Sequence, residues 1–426
     1  MLKDIYKKAN PQILIGALAV MLAAFLWSLD GVFIRPKLYS LPVALVVFLE
    51  HFFGFLVLSP FIYFNLKKIK KLSRKSWAAI FWVSVFGGMV GSIMITKAFF
   101  LAISGEVTFA TVVILQKLQP FFALILARAV LKERLSEKFY VWAAVAIVSS
   151  YFIAFGKTGL SLDEIDWAHS AVFFAVLAAF SFGSSTVFGK RIVNHLDFKA
   201  TSALRFGITA LLMFPLIIFT GNIFKIGNVS FLQWWLFALI VFTTGAGAIF
   251  LYYYGLRKIS ASTATICELF WPLSSVVLDY AINKNVLSPV QLIASLVLLY
   301  AVFKVLKDGR QKSVSFKSKV IHGEGRGAGL GFHTANLQNE DLDIPHGVYV
   351  VELSVKGKNY KGLMHFGYKE VFGGPVSLEV LIKDFSDDIY NEEVAVKVIE
   401  KIREVRKFKN ADELKAAVEN DLKCLR

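Results

Sequence analysis

The sequence predicts an all-α polytopic membrane domain of ten transmembrane helices, followed by a small β-barrel domain that ends in a helix. Three observations carry this. Apolar runs of about 18–24 residues, the length that crosses a hydrocarbon core, recur up to Lys304 and then stop. The chain is 56% hydrophobic and 18% charged, against about 45–50% and 25% in soluble domains. From Lys307 onward the pattern turns charged, glycine-punctuated and alternating, as in a soluble fold.

The spans are expected near 12–33, 41–64, 77–101, 107–128, 138–155, 167–189, 200–220, 231–255, 262–282 and 288–306. The first run starts near Ile13 without a small-residue cleavage site, so it reads as a retained helix. Basic residues gather in alternate connections: Lys3, Lys7 and Lys8; Lys67 to Lys75; Lys132, Arg134 and Lys138; Lys190, Arg191 and Lys199; Arg257 and Lys258; and Lys307 to Lys319. The opposite set holds only Arg35, Lys37, Lys157, Lys225 and Lys284, with Asp163, Glu164 and Asp166 among them. This asymmetry places both termini in the cytoplasm of a multi-pass protein of the cell membrane. It also accounts for the net charge of +16 without nucleic acid as a partner. Cys267 and Cys424 form no disulfide framework and no zinc spacing, and both are expected to be reduced.

The membrane half reads twice. Ala23-Ala24-Phe25 through Val32-Phe33 matches Ala178-Ala179-Phe180 through Val187-Phe188, and Pro120 and Pro272 each precede a serine, Ser136 and Ser288, by sixteen residues. Five spans per copy is odd, so the copies insert in opposite orientations. Inverted repeats of this kind mark secondary transporters, with substrate held near the midplane where the copies meet. The domains are then 1–155 and 156–306 for the repeats, 307–315 as linker and 316–426 as the tail. Over roughly residues 12–306, and above all in Ala98–Ser136 and Gly255–Ser288, the chain resembles the EamA-type drug/metabolite transporter superfamily. That resemblance implies a carrier of small metabolites working by alternating access, without naming one substrate.

Ionisable groups at membrane depth are costly and mark function by default. Glu50, His51, Lys97, Gln116, Lys117, Arg205, Glu268 and Trp271 are expected to line the transport cavity. Glu50 and Arg205 occupy equivalent places in the two copies, as do Gln116 and Glu268. Gln119 and Asp279 lie nearby. Arg205 and Asp279 sit close enough to span ends to snorkel, and the carboxylates and ammoniums can instead neutralise one another. Trp27, Phe270 and Trp271 offer faces for a planar ligand.

In the tail, Val348–Val355, Tyr360–Phe366, Ser377–Ile382 and Asn391–Val398 read as strands. The segment Lys356 to Asn359 is a turn. Asn410 caps a closing helix Ala411–Leu425 with Glu413 three residues on. Short strands with glycine turns suggest a small closed barrel. Between Gly323 and Asn336, five glycines let backbone amides approach phosphate, Arg326 adds charge, and Thr334 and Asn336 offer neutral oxygens suited to magnesium. The segment matches neither the P-loop nor the dinucleotide fingerprint.

The order of motifs is more specific. Gly325–Leu337, Pro345-His346-Gly347-Val348-Tyr349, Phe372-Gly373-Gly374, Ser377-Leu378-Glu379-Val380, Asp384-Phe385 with Asp388-Ile389-Tyr390, and Ile402-Arg403 with Lys407-Phe408 together resemble riboflavin kinase over about 105 residues. The resemblance implies a six-stranded barrel that transfers the ATP γ-phosphate to the ribityl hydroxyl of riboflavin, giving FMN. It implies Gly325, Arg326, Gly327, Gly331, Thr334 and Asn336 at ATP and its phosphates. It further implies Thr334 and Asn336 on Mg2+, Glu379 as general base, and Arg403 and Phe408 at the flavin. The chain departs from the family pattern at His333, His365, Glu370, Val371, Asn391 and Val405. The expected function is riboflavin uptake coupled to its cytoplasmic phosphorylation. The alternative is a carrier of another metabolite with a flavin-binding, non-catalytic regulatory tail. The expected partners are the bilayer and the small-molecule substrate, and a homodimer is left open.

Overall fold

A computed structural model describes residues 11–105, 109–133, 135–155, 170–284, 286–308, 315–322, 334–338, 342, 344–368, 376–385, 387–406, 408 and 410–425. The chain divides into two compact units, Met1–Arg310 and Gln311–Arg426.

The first unit is helical: α1 (Pro11–Leu29), α2 (Val43–Leu58), α3 (Pro60–Lys70), α4 (Arg74–Trp82), α5 (Gly91–Ile103), α6 (Phe109–Gln116), α7 (Gln119–Val130), α8 (Glu137–Phe155), α9 (Ser170–His195), α10 (Phe198–Phe219), α11 (Phe231–Phe242), α12 (Ala246–Lys258), α13 (Ala261–Cys267), α14 (Phe270–Asn283) and α15 (Pro289–Asp308). Among the described residues, eight helical stretches are long and apolar enough to cross a membrane, or nine if α2 and α3, bent by 80° at Pro60, make one span. The expected fourth span is instead the two short helices α6 and α7.

Its break, and that between α13 and α14, have a common cause. Pro120 and Pro272 each stand in the first turn of the second half-helix, where proline's missing N–H is tolerated but the preceding helix cannot run through. At both breaks the chain tightens into a three-residue turn, with Leu118 N to Leu115 O at 3.2 Å and Leu269 N to Ile266 O at 3.1 Å.

α1 packs on α12, α2 on α10, α5 and α7 on α9, α14 on α1, and α8 on α15. The α1–α12 contact needs glycine: a Cβ on Gly255 would stand 2.5 Å from the Gly16 carbonyl oxygen. Such small-residue contacts let membrane helices approach closely.

The second unit is a closed barrel of β1 (Ser315–Ile321), β2 (Thr334–Leu337), β3 (Gly347–Val355), β4 (Lys358–Tyr368), β5 (Val376–Ile382) and β6 (Glu393–Arg403), in the order β1-β2-β5-β4-β3-β6, followed by α16 (Ala411–Leu422). Alternation along β3 and β5 sends Tyr349, Val351, Leu353, Leu378, Val380 and Ile382 into one core with Met364 and Phe366. Lys356 and Gly357 both have positive φ, 49° and 81°, the signature of a two-residue hairpin turn matched to strand twist. The Asn410 side chain accepts from Glu413 N at 2.9 Å, as expected of its capping role. β1 was not anticipated from the sequence, and the last strand begins at Glu393. Asn391 lies before it at φ 68°, a left-handed position that asparagine tolerates better than most residues other than glycine.

Candidate functional site

The two broken spans meet at a cavity of about 200 Å3 in the membrane unit. That is room for several waters, more than a packing void. Glu50, His51, Gln116, Lys117, Arg205, Glu268 and Trp271 line it. Glu268 follows directly on α13 and is held by neutral donors. Its Oε1 accepts from the Tyr252 hydroxyl at 2.7 Å and from Thr186 Oγ1 at 3.3 Å, and its Oε2 accepts from the Gln119 amide. Lys117 lies over the Trp271 ring, Nζ 4.3 Å from its centre, a cation–π contact. The Trp27 and Tyr252 rings sit 5.4 Å apart on the same wall.

The opposite wall centres on Arg35. Its Nε and Nη2 donate to Asp30 Oδ2 at 2.9 and 2.6 Å. Its Nη1 reaches Glu50 Oε1 at 2.7 Å and Thr96 Oγ1 at 3.5 Å. A wide helical turn over Asp30–Ile34 and a tighter one over Arg35–Leu38 swing these charges inward at the end of α1. Counting Arg35 among the loop charges missed this; the signal lay in Asp30, five residues before it.

Arg205 does not snorkel. It is buried, donating to the Gly87 carbonyl at 2.8 Å and to the Tyr253 hydroxyl at 3.3 Å. Lys97 is a correction: it is exposed, over the Phe174 ring at 4.3 Å, and outside the cavity lining. One residue along α5 turns the side chain by about 100°, which brings Thr96 to the cavity in its place. Gln116 Oε1 and Arg205 Nε are buried without a protein hydrogen-bond partner among the described residues. Buried polar atoms are nearly always paired, so water or a polar ligand in the cavity would satisfy these two. Tyr252 and Thr186 were not anticipated, because neutral hydroxyls carry no signal in a sequence so rich in them.

In the barrel, strand register brings the expected kinase residues into one row. Asn336 on β2 stands opposite Glu379 on β5, and Glu379 opposite His365 on β4. Val348 on β3 stands opposite both His365 and Arg403 on β6. Directly opposed residues share a face, and two residues along β2 Thr334 shares it too. Thr334, Asn336, Glu379 and His365 are half-buried on the outer face. Thr334 and Asn336 were expected in a loop; they lie on a strand.

Thr334 and Asn336 present neutral oxygens beside one carboxylate, and no cluster of three or more His, Cys, Asp or Glu occurs among the described residues. This donor set fits magnesium held mainly by phosphate and water. Arg403 is held in a fork by Asp421, Nε at 2.9 Å and Nη2 at 2.7 Å to Oδ2, and lies 5.6 Å from the Phe408 ring centre. The Tyr349 hydroxyl donates to the Pro345 carbonyl. Burial, with Glu404 adding, pushes its pKa up, so it stays neutral. Gly325, Arg326, Gly327, Gly331 and His333 lie outside the described residues, as do Glu370 and Val371.

The EamA-like transporter family model matches residues 14–155 and again 169–306. The riboflavin kinase family model matches residues 310–426. The riboflavin transporter ImpX of Fusobacterium nucleatum is 42% identical over 295 residues, 68% of this chain and 97% of that one. The bifunctional riboflavin kinase/FMN adenylyltransferases of Bacillus subtilis and Listeria monocytogenes are 38% and 41% identical over 111 and 109 residues. Each covers 25% of this chain, which spans about a third, 35%, of their length. A solved structure at 16% identity covers 69% of this chain and 97% of its own at TM-score 0.52, which bears on the fold alone. The chain belongs to the EamA-like transporter family, with a C-terminal domain that matches riboflavin kinase.

Proposed function

We propose that the membrane unit carries riboflavin into the cell and that the C-terminal unit phosphorylates it to FMN. One observation carries this reading: each unit separately resembles a riboflavin protein, a transporter and a kinase. The cavity agrees. Its charged lining is balanced, Arg35, Lys117 and Arg205 against Asp30, Glu50 and Glu268. A balanced lining with aromatic faces suits an uncharged, planar, hydroxyl-rich ligand. FMN carries about −1.5 to −2 in charge at neutral pH, which a charge-balanced lining does not favour. Phosphorylation therefore traps the flavin and draws uptake forward.

The packing supports ten spans in two inverted halves. Exchanging the halves converts the α1–α12 contact into α9–α5 and the α1–α14 contact into α9–α7, both of which occur. With the basic loops inside, both termini and the kinase unit lie on the cytoplasmic side of the cell membrane, where ATP is. The proposed domains are 1–155, 156–306, a linker 307–315 and 316–426.

In the kinase unit Glu379 is proposed as the general base. Its carboxylate accepts the ribityl hydroxyl proton as the new oxygen–phosphorus bond forms and the bond from the γ-phosphorus to ADP breaks. Thr334 and Asn336 would hold Mg2+, which supplies charge neutralisation at the phosphates. Arg403, fixed by Asp421, and Phe408 would border the flavin.

The test is uptake of labelled riboflavin by cells or proteoliposomes with and without the chain. Uptake indifferent to the chain, beside clear transport of an unrelated metabolite, would sink the carrier reading. The C-terminal unit has its own closed core, so residues 311–426 can be assayed alone. FMN formation from riboflavin and MgATP excludes a purely regulatory tail. Thr334→Ala is expected to raise the KM for MgATP about tenfold, the scale of one lost ligand contact. The KM for riboflavin should stay within about twofold. Initial rates at varied MgATP check this.

A further inference from the structure

The connection from α12 to α13 is two residues long, Ile259 and Ser260, and buried charges hold it from both ends. Glu133, in the turn after α7, is 2% exposed. Its carboxylate accepts from Ala261 N at 2.8 Å, Ser262 N at 3.1 Å and Ser262 Oγ at 2.5 Å, which saturates the start of α13. Lys190, on α9 and 8% exposed, donates to the carbonyls of Leu256 and Arg257 at 2.9 and 3.2 Å, at the end of α12. An acid at a helix start and a base at a helix end is the arrangement helix dipoles favour.

The two clamps differ in what they join. Lys190 and α12 belong to the same half of the membrane unit. Glu133 reaches from the first half into the second, 128 residues along the chain. The helix it caps ends at Cys267, and the next residue is Glu268 in the cavity wall. A shift of α13 therefore moves the Glu268 carboxylate against Tyr252, Thr186 and Gln119. A carboxylate that accepts three hydrogen bonds in a buried site is a discrete, breakable contact, and alternating access requires contacts of that kind where the halves part.

We propose that Glu133 is a positioning residue for transport: it clamps α13, and with it Glu268, in the cavity wall, and the clamp releases when the cavity opens toward the cytoplasmic side. The proposal rests on the carrier reading above, but its test does not use transport. The chain contains two cysteines, Cys424 and the fully buried Cys267 at the end of α13. Cys424→Ser makes Cys267 the only thiol. Its reaction with a membrane-impermeant maleimide, in inside-out vesicles carrying the full chain, reports opening on the cytoplasmic side.

Labelling is expected to be slow in this parent and about tenfold faster in Glu133→Gln, the scale of one charge-assisted hydrogen bond. Glu133→Asp, which keeps the charge, should stay within about threefold of the parent. Ser262→Ala, which removes one of the three donors and leaves the carboxylate, should accelerate labelling by about threefold. It serves as the deciding variant if the glutamine protein does not fold. Unchanged labelling in Glu133→Gln, or in Ser262→Ala where that decides, overturns the proposal. So does an equal rise in Glu133→Asp and Glu133→Gln, which would signal general loosening. Absent riboflavin uptake in a parent that still labels as expected would instead count against the substrate.

Discussion

Glu379→Gln is expected to slow phosphorylation of riboflavin by the C-terminal unit about 10²–10⁴-fold, the usual cost of losing a general base. Flavin binding should stay within a few-fold, because ground-state contacts survive the change. The amide keeps the shape and the hydrogen-bonding capacity of the carboxylate but accepts no proton at neutral pH. Glu379 alternates with Leu378 and Val380, so it points away from the barrel core. Alternation alone would equally describe an idle surface position, where substitution changes little. Two features argue otherwise. Glu379 is half-buried, and it lies between Asn336 and His365 in the cross-strand row that extends through Val348 to Arg403. Steady-state kinetics of the purified unit decide the matter, and a rate within about twofold of the parent removes Glu379 from the base role.

Arg35→Ala is expected to destabilise the membrane unit by about 3–5 kcal/mol, the cost of breaking a buried ion pair by deleting one partner. The guanidinium serves two carboxylates, Asp30 at 2.6 Å and Glu50 at 2.7 Å, and its side chain is 13% exposed. Removing it leaves two acids, 14% and 9% exposed, without their shared cation. Adding Glu50→Gln to Arg35→Ala should recover a large part of the loss, since one stranded charge is then gone. The thermal midpoint of the detergent-solubilised chain, followed by its elution as a single species, gives the four corners of the cycle. Equal midpoints for the parent and Arg35→Ala would show that the triad is solvated and contributes nothing to the fold.

Eight or nine spans were legible because a crossing segment must be long, largely apolar and able to satisfy its own backbone, and the strands because side chains alternate. The barrel strand β1 escaped because its outward positions include Lys317 and Lys319 and its buried positions are Ser318 and Val320, so only one of the buried side chains is apolar. The interruption of the fourth span escaped for a related reason: Gln116, Lys117 and Gln119 read as costly polar residues within a helix, whereas they flank a break started by Pro120. Glu50, Gln116 and Glu268, which line the cavity, stood out because charge or amide at membrane depth needs a reason. Arg35 was not, because a count of loop charges assigns every arginine near a span end to solvent. Lys97 was placed in the cavity on cost alone, and helix phase puts it elsewhere. Glu133 was not singled out, because nothing in the linear order brings it to Ala261 and Ser262.

The barrel closes on itself, β1 pairing with both β2 and β6. Open sheets expose a row of unpaired amides and carbonyls that recruits strands from other molecules. Proteins confined to a bilayer meet one another far more often than the same number of molecules dissolved in the cell's volume, and their appended domains share that crowding. A sheet without a free edge offers these neighbours no template, so the C-terminal unit can be produced at high surface density without seeding strand-to-strand aggregation.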